Sequence, residues 1–335
     1  MSLPAFGTCP GFSSTPQKMG ELLFLPVLPP QIDYERITKE DNMKKMLGLG
    51  SLIFLSLLIG AQGSGPQGET RTRNFVLFFE TLDYTREMGD ALSFFFYKVL
   101  APGDQLIIYT PARVYGFSKM TLAKPKGELV AAMQDKLRGD TAACSSSYKI
   151  IMNDMTSQVR DIESSETSSS DGLAGLKGSL TMYSQNLNNL QALRKVNDTL
   201  LRQIVNMFKT QQGKNHMVMI YQAEFRPIPN KETLNRLRAI PVISFEVADL
   251  FAGENQKTPV DADEFIDLFK ETPISLHLFY IKPKDVSSVQ DFKEQSADMY
   301  DVFSRMAKGS GGIVETTANP EAAFKALLQA IEPAK

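Results

Sequence analysis

The chain has 335 residues, 43% of them hydrophobic, with 36 Lys plus Arg against 38 Asp plus Glu and a formal net charge of −2. These proportions predict a globular protein of one large domain or two small ones, and not a disordered chain. The balanced charge argues against nucleic acid as a partner, because phosphate neutralisation needs a basic surface. Two cysteines and two histidines are too few for a structural zinc site or a disulfide framework.

Residues 43–63 have the layout of a secretory signal peptide. Lys44 and Lys45 form a short positive region, 47–59 is an apolar run, and 61–63 carries small residues at the two key positions of a cleavage site. The apolar run is shorter than the roughly 20 residues that a membrane span needs. We therefore expect a secreted or periplasmic protein. The alternatives are a buried core helix and an uncleaved anchor, and only an anchor would make the membrane a partner.

Residues 1–42 precede this signal, are rich in Pro, Gly and Ser, and show no amphipathic period. We interpret them as a non-native or disordered extension upstream of a translation start at Met43. The alternative is a cytosolic tail before a signal anchor. Residues 64–73 are polar and predict a linker. Cleavage would leave Cys144 as the only cysteine of the mature chain, and we expect it to be buried or partly covered, as free cysteines usually are.

Further along the chain, apolar runs of strand length alternate with segments of helical period. Strands are predicted at 74–80, 105–110, 113–117, 216–222, 275–281 and 312–316. Helices are predicted at 85–100, 128–137, 148–163, 180–209, 264–270, 298–308 and 320–331. Residues 164–178 indicate a flexible break, and 241–251 fit either a strand or a helix. The alternation predicts an α/β fold with a doubly wound, mostly parallel sheet and helices on both faces.

Four segments resemble, in their sequences and in their order along the chain, the von Willebrand factor A (VWA) domain family, especially its secreted bacterial branch. They are NFVLFFETLDY at 74–84, VLAPGDQLIIYT at 99–110, ELVAAMQDKLRGDTAA at 128–143 and MAKGSGGIVETT at 306–317. The resemblance implies a Rossmann-like VWA domain over 74–335 with a helical insertion at about 164–195. It also implies a ligand site at the carboxyl ends of the strands, where open α/β sheets bind ligands.

The metal-ion-dependent adhesion site (MIDAS) of that family is degenerate in this sequence. Its first-strand signature, D-x-S-x-S, supplies a carboxylate and two hydroxyls to an ion such as Mg²⁺. The residues aligned with those three positions are Glu80, Leu82 and Tyr84. A family threonine corresponds to Thr141, but the usual T-D-G after the fourth strand is replaced by Q-A-E at 222–224. We therefore predict no bound metal and no cofactor.

The resemblance defines a candidate partner face from polar residues expected near the strand ends: Glu80, Asp83, Tyr84, Thr141 and Glu224. We expect a non-catalytic module that docks a protein or cell-envelope component there, because no nucleophile–base constellation and no G-x-S-x-G motif is visible. One alternative is an envelope hydrolase that uses acidic residues of the same face. The other is a metal-dependent adhesion protein in which Glu80, Asp83 and Glu224 hold Mg²⁺ or Ca²⁺.

Several smaller motifs have simpler structural interpretations. The R-G-D sequence at 138–140 is a tripeptide read by integrins, but we interpret it as a helix stop at its glycine. His277 lies in an apolar strand and is predicted to be a packed histidine. The N-D-T sequence at 197–199 fits a glycosylation acceptor but falls inside the predicted 180–209 helix. The apolar stripe of that helix predicts that Leu200 lies in the core.

Overall fold

The computed structural model describes residues 72–167, 169–193, 198–252, 261–282 and 291–332. The predicted signal at 43–63 and the extension at 1–42 lie outside these ranges, as does most of the predicted linker. Within the ranges, no helix is both long and apolar enough to cross a membrane.

The described ranges contain eight strands, which form one large and one small sheet. They are β1 (Arg73–Glu80), β2 (Gln105–Tyr109), β3 (Val114–Phe117), β4 (Lys214–Gln222), β5 (Phe225–Pro227), β6 (Ile274–Ile281), β7 (Phe292–Glu294) and β8 (Val314–Thr317). The large sheet has the order β3-β2-β1-β4-β6-β8, and all its neighbouring strands are parallel except β2 and β3. The small sheet is the antiparallel pair β5-β7. The predicted doubly wound, mostly parallel sheet is confirmed.

The helices described in the same ranges are α1 (Arg86–Phe94), α2 (Lys119–Leu122), α3 (Lys126–Ser164), α4 (Ser170–Leu193), α5 (Asp198–Lys209), α6 (Lys231–Arg238), α7 (Ser244–Ala252), α8 (Ala262–Lys270), α9 (Ala297–Gly309) and α10 (Pro320–Ile331). A π-helical turn at Phe95–Val99 continues α1 over the predicted 85–100 helix. Asp261 caps α8 by accepting hydrogen bonds from two N–H groups of its first turn. The ambiguous 241–251 segment forms a helix, α7.

The large sheet carries helices on both faces because its strands bury side chains on both sides. In β1, Phe75, Leu77 and Phe79 point into a core shared with α1, α10 and the first half of α3. Val76 and Phe78 point into a second core, shared with α5, α8 and α9. All five side chains are at most 5% exposed. Burying each of them contributes about 1.5–3 kcal/mol of hydrophobic free energy, which is why a strand between two helical layers is an unbroken apolar run.

A third apolar cluster lies where the second half of α3 packs with α4, α6 and α7. Its buried members include Met155, Leu180, Tyr183 and Phe251. The Tyr183 hydroxyl donates a hydrogen bond of 2.8 Å to the carbonyl of Pro227 in β5. The cluster therefore rests on the small sheet, whose first strand follows the carboxyl end of β4.

Helix α3 is continuous over Lys126–Ser164, so the predicted helix stop at the R-G-D sequence is wrong. A Cβ atom on Gly139 would meet no atom within 4 Å, and the glycine costs only its intrinsic helix penalty of about 1 kcal/mol. Asp140 is 6% exposed and accepts hydrogen bonds from the hydroxyls of Thr110 at 2.7 Å and Tyr115 at 2.8 Å. The tertiary contacts of Asp140 therefore stabilise α3 at a point where the local sequence disfavours a helix.

The helical segments around the predicted insertion also differ from the sequence expectation. The break predicted at 164–178 is shorter, because α4 begins at Ser170 and buries Leu176 in the third cluster. The predicted 180–209 helix falls on α4 and α5, and residues 194–197 lie outside the described ranges together with the asparagine of the glycosylation sequence. Cys144 on α3 is half-buried, as predicted.

Candidate binding site at the strand ends

The carboxyl ends of β1 and β4 lie side by side, at the point where the chain leaves the sheet in opposite directions. The two strands are parallel neighbours, with Glu80 opposite Tyr221 in the register. The chain passes from β1 to β2 on one side and from β4 to β6 on the other. Open α/β sheets bind ligands in a crevice of this kind. The predicted site residues Glu80 and Glu224 both lie at this crevice.

Gln222, the last residue of β4, fixes the loop that follows β1. Its Oε1 atom accepts hydrogen bonds from the backbone N–H groups of Leu82 and Asp83, each at 2.9 Å. In the sequence, Gln222 is only a departure from the family's T-D-G motif. A glutamine at a strand end carries no signal that it holds a loop 140 residues away.

Glu80 and Glu224 form a pair of carboxyl groups at the crevice. Glu80 is partly exposed, whereas Glu224 is 6% exposed. The Glu224 carboxylate accepts hydrogen bonds from the Tyr221 hydroxyl at 2.5 Å and from Gln295 Nε2 at 3.1 Å. Burial, and then the negative charge of Glu224, raise the pKa of Glu80 to about 7. The crevice therefore contains a carboxyl group whose protonation changes near neutral pH.

A chain of hydrogen bonds runs from Glu224 to the small sheet. The Glu224 backbone N–H donates to Ser296 Oγ at 2.8 Å, and Ser296 Oγ lies 2.6 Å from the Tyr280 hydroxyl. That hydroxyl donates to Glu294 at 2.6 Å, and Lys282 Nζ donates to the other Glu294 oxygen at 2.9 Å. Sequence reasoning misses Glu294 and Ser296, because they lie on and just after β7, a strand of 3 residues with no hydrophobic period.

Helix α3 crosses the crevice and closes part of it. The predicted site residue Thr141 is 1% exposed, and its hydroxyl lies 3.2 Å from the hydroxyl of Thr81. Two turns further along the helix, the Tyr148 hydroxyl donates to the carbonyl of Phe225 at 3.2 Å. Thr141 thus joins the helix to the loop after β1, and its hydroxyl is closed off from solvent.

The accessible part of the predicted face comes from the loop after β1 and from α3. Asp83 pairs with Lys149 at 3.2 Å, and their side chains are 60% and 56% exposed. Tyr84 lies under Arg138, whose guanidinium carbon is 5.0 Å from the ring centroid. Burial raises the pKa of the Tyr84 phenol, which keeps the ring neutral. We call these four residues the strand-end rim.

The residues at the family's metal positions do not fit a divalent ion, which needs several oxygen ligands fixed together. Leu82 has no ligand atom in its side chain. The Tyr84 hydroxyl lies over α1, 2.6 Å from the place that a Cβ atom on Gly89 would occupy. The Thr141 hydroxyl contacts Thr81 instead. Among the residues that the structure describes, no group of three or more His, Cys, Asp and Glu side chains is arranged to hold a metal ion.

His216 and His277 lie on neighbouring strands and pack together inside the core, nearer the amino ends of the strands. His216 Nδ1 is 3.2 Å from His277 Nε2, and His277 Nδ1 accepts a hydrogen bond from the Ile313 N–H at 3.2 Å. The His216 ring also stacks on Phe75, with 5.2 Å between ring centroids. Burial lowers the pKa of His216 to about 4 and that of His277 to about 3. The prediction that His277 is a packed histidine is confirmed.

No protein-family model matches the chain, and no curated protein matches it. Two solved structures are similar to it at low sequence identity. One is the conserved hypothetical protein BatB from Bacteroides thetaiotaomicron, with 11% identity, a TM-score of 0.34, and coverage of 78% of this chain and 97% of that chain. Another is the TFIIH p34 N-terminal domain, with 8% identity, a TM-score of 0.26, and coverage of 77% of this chain and 97% of that chain. Likenesses of this extent do not identify a family or a function.

Proposed function

We propose that the chain is an exported, VWA-like, non-catalytic module that docks a protein or cell-envelope partner on the strand-end rim. One observation carries this proposal: exposed side chains of opposite charge, from two different elements, pair beside the crevice where α/β sheets bind ligands. Asp83 and Lys149 supply the paired charges. Glu80, the last residue of β1, is partly exposed at the same strand ends.

The composition of the rim suits recognition of a protein. Tyr and Arg are among the residue types that dominate the binding energy of protein interfaces, and Tyr84 and Arg138 form a cation–π pair on this rim. Ile150, which follows Lys149 on α3, is 62% exposed and adds apolar surface. Because these contacts hold the side chains in place before binding, a partner would meet a surface with a low ordering cost.

The proposed location, secreted or periplasmic, rests on the signal-peptide pattern at 43–63. N-terminal sequencing of the protein expressed from Met43 tests it. We expect a product that begins near Ser64. A membrane-bound product that retains Lys44 and Lys45 would replace the signal peptide with an anchor.

A second candidate function is an envelope hydrolase, and the carboxyl pair at the crevice is the observation that favours it. A carboxyl group with a pKa near 7 suits a general acid, and Glu80 has a pKa of about 7. Both oxygens of Glu224 already accept hydrogen bonds, from Tyr221 and Gln295. Glu80 alone would then be available to a substrate, so we prefer the binding function.

The experiment that tests docking is capture of partners from cell-envelope extract by the full chain, repeated with a chelator. Tyr84→Ala and Lys149→Glu change the rim. Lys209→Glu is the matched control, because it reverses the charge of a surface lysine on α5 that also pairs with an acid, Glu271. We expect one partner to be captured by the unmodified chain and by the control, and to be lost from both rim variants.

Each other outcome of the capture experiment has a distinct meaning. Equal capture by the unmodified chain and both rim variants would contradict docking on the rim. Capture that disappears in chelator would restore metal-dependent adhesion. Hydrolysis of an envelope fraction that is abolished in Glu80→Gln would favour the second candidate.

A further inference from the structure

Five lysines lie at the end of the large sheet where its parallel strands begin, opposite the strand-end rim. They are Lys98 in the π-helical turn, Lys119 on α2, Lys124 after α2, Lys126 at the start of α3 and Lys214 at the start of β4. Strand β3 runs antiparallel to β2 and ends with Phe117 opposite Leu106, so α2 follows it at the same end of the sheet. We call these five residues the amino-end lysines.

Contacts between their elements join the amino-end lysines into one surface. Lys126 Nζ donates a hydrogen bond of 3.2 Å to the carbonyl of Leu100, which follows the π-helical turn. Arg73, at the start of β1, donates to the carbonyl of Val99 in that turn at 2.8 Å. Arg73 also lies opposite Lys214 in the register of β1 and β4. The surface therefore runs from α2 and the start of α3 across the π-helical turn to the start of β4.

The charges of the amino-end lysines are not neutralised by neighbouring acids. Within the described ranges, no carboxylate forms an ion pair with any of the five. Residues 97–128 contain two acids, Asp104 and Glu128. Asp104 is buried and pairs with Arg73 at 2.7 Å, which leaves Glu128 as the exposed acid of this segment. The face is therefore net positive and complements a surface of dispersed negative charge.

Two large apolar side chains are exposed among these charges. Met120, which follows Lys119 on α2, is 85% exposed, and Tyr97, which precedes Lys98, is 51% exposed. Exposed apolar side chains beside lysines are typical of surfaces that lie on a membrane, because the apolar groups enter the boundary between headgroups and acyl chains. Tyrosine is enriched at that boundary.

The chain enters the large sheet at the same face. The carbonyl of Thr72 accepts a hydrogen bond of 3.1 Å from the Lys214 N–H. Residues 60–71 separate Thr72 from the apolar run at 47–59, and a chain of that length spans at most about 45 Å. In the proposed export the apolar run lies in the membrane. The amino-end lysines are then the part of the large sheet held closest to the bilayer.

We propose that the amino-end lysines bind the anionic surface of a phospholipid membrane, with Met120 and Tyr97 in its headgroup layer. This inference goes beyond the proposed docking function, because it assigns a second partner to the opposite end of the sheet. The sequence alone makes the membrane a partner only through an uncleaved anchor, whereas the lysine face binds lipid without one. The strand-end rim then points away from the membrane, towards its own partner.

A lipid surface fits this face better than a nucleic acid does. All five cations are lysines, whereas arginine is the residue whose planar fork binds phosphates through paired hydrogen bonds. Lysines spread over several elements suit a fluid surface, where lipid headgroups can move to meet each charge. A phosphate backbone also offers no apolar contact to Met120.

The test is sedimentation of the full chain with vesicles of phosphatidylglycerol and phosphatidylcholine in equal amounts, and with vesicles of phosphatidylcholine alone. We expect binding to the anionic vesicles to be at least about tenfold tighter, and to weaken as salt screens the charges. The triple variant Lys98→Glu, Lys119→Glu and Lys214→Glu should lose at least about tenfold in affinity, since each lysine near an anionic surface contributes about fivefold. Met120→Ser should weaken binding several-fold, because it removes apolar surface from the headgroup layer.

The matched control is the triple variant Arg160→Glu, Lys177→Glu and Lys231→Glu. It makes the same change of charge at exposed positions of α3, α4 and α6, and we expect it to bind as the unmodified chain does. An equal loss in the control would mean that net charge alone decides binding, which overturns the proposal.

Three other results also overturn the proposal. Equal binding of the unmodified chain to both kinds of vesicle would assign the binding to the apolar run at 47–59, and this comparison needs no variant that might not fold. Unchanged affinity in the amino-end variant would assign it to other cations, such as Lys44 and Lys45. Lysine-dependent binding to a DNA duplex or to polyglutamate, without binding to the anionic vesicles, would replace the membrane with a nucleic acid or an acidic protein.

Failure of this inference and failure of the docking function give different results. The rim variants Tyr84→Ala and Lys149→Glu should bind the anionic vesicles as the unmodified chain does. Loss of vesicle binding in both rim variants, with full binding in the amino-end variant, would place the lipid on the rim and overturn the proposal. Vesicle binding through the amino-end lysines, without any partner captured on the rim, would support the membrane face and overturn the docking function.

Discussion

The Tyr115 hydroxyl donates a hydrogen bond of 2.8 Å to the carboxylate of Asp140, in the middle of helix α3. The hydroxyl of Thr110 donates to the same oxygen at 2.7 Å, and Arg113 Nε lies 3.7 Å from the other oxygen. The three partners belong to the hairpin that β2 and β3 form. One buried carboxylate therefore ties the edge of the large sheet to the long helix.

Substitution of this pair should weaken the fold. We expect Tyr115→Phe to lower the free energy of unfolding by about 1–2 kcal/mol, because it removes one of two hydroxyl donors to a buried carboxylate. Asp140→Ala removes the acceptor of both hydroxyls and should cost about 2–4 kcal/mol. Urea unfolding measures both, and the double variant should lose less than the sum of the single losses. A cost below about 0.5 kcal/mol for Asp140→Ala would show that the carboxylate does not tie the hairpin to α3.

The same contact explains which parts of the fold the sequence predicts. Strands such as β1 are predictable, because burial on both faces requires an unbroken apolar run. The continuity of α3 is not, since Gly139 and Asp140 are poor helix formers. The contacts that hold Asp140 come from Thr110 and Tyr115, which lie 30 and 25 residues earlier in the chain. The two short strands β5 and β7 have too few residues to show a period.

The candidate site, like the fold, is only partly predictable from the sequence. Glu80 and Glu224 can be expected together, because the carboxyl ends of neighbouring parallel strands meet at one edge of a sheet. Gln295 and Ser296 cannot, because they contact Glu224 from positions 71 and 72 residues away in the chain. The burial of Thr141 depends on the path of α3 across the strand ends, which no local pattern specifies.

Glu80 should make the protein less stable as the pH rises. The pKa of Glu80 is about 7 in the folded chain, against an ordinary value of 4.5, so between these values the folded chain binds more protons than the unfolded chain. The stability that comes from this proton binding is fully present below pH 4.5 and is lost as the pH rises through about 7. Gln does not titrate, so the free energy of unfolding of Glu80→Gln should not fall in this way. From about pH 5 to about pH 8, the difference in unfolding free energy between the two proteins should therefore shift by about 1–3 kcal/mol in favour of Glu80→Gln. Denaturant unfolding of both proteins at both pH values measures this shift. If the difference in unfolding free energy between the two proteins is the same at the two pH values, the raised pKa of Glu80 is contradicted.

The buried histidine pair should make the protein less stable as the pH falls, which is the opposite of the effect of Glu80. The pKa values of His216 and His277 are about 4 and about 3, below the ordinary value of 6.5, so in this range the unfolded chain binds more protons. The contribution to stability is complete above pH 6.5 and falls as the pH drops towards 4. We expect His216→Phe, which retains an aromatic ring against Phe75, to lose less stability than the unmodified chain between about pH 7 and about pH 5. Urea unfolding across this range checks it, and parallel pH profiles for the two proteins would be the contrary result.

Helix α5 offers a matched pair of adjacent leucines. The sequence pattern predicts Leu200 in the core, but the structure buries Leu201 at 2% exposure and leaves Leu200 half-buried at the edge of the same cluster. We expect Leu201→Ala to lower the free energy of unfolding by about 2–5 kcal/mol. Leu200→Ala should cost about 1 kcal/mol, because it removes less apolar surface from contact. Unfolding in urea compares the two, and a larger cost for Leu200→Ala would mean that the buried face of α5 is rotated.

The turn between α9 and β8 should tolerate substitution at one of its glycines and not at its neighbour. A Cβ atom on Gly312 would overlap the carbonyl oxygen of Leu276 in β6, whereas a Cβ atom on Gly311 would meet nothing within 4 Å. Gly311 has a φ of 74°, so Gly311→Ala should cost only the left-handed backbone penalty of about 1–2 kcal/mol. Gly312→Ala must displace a backbone carbonyl of a central strand and should cost about 3 kcal/mol or more. Thermal unfolding should then show a fall of about 6 °C or more for Gly312→Ala, since 1 kcal/mol corresponds to about 2–4 °C. Equal shifts for the two variants would mean that β8 does not approach β6 as closely as Gly312 requires.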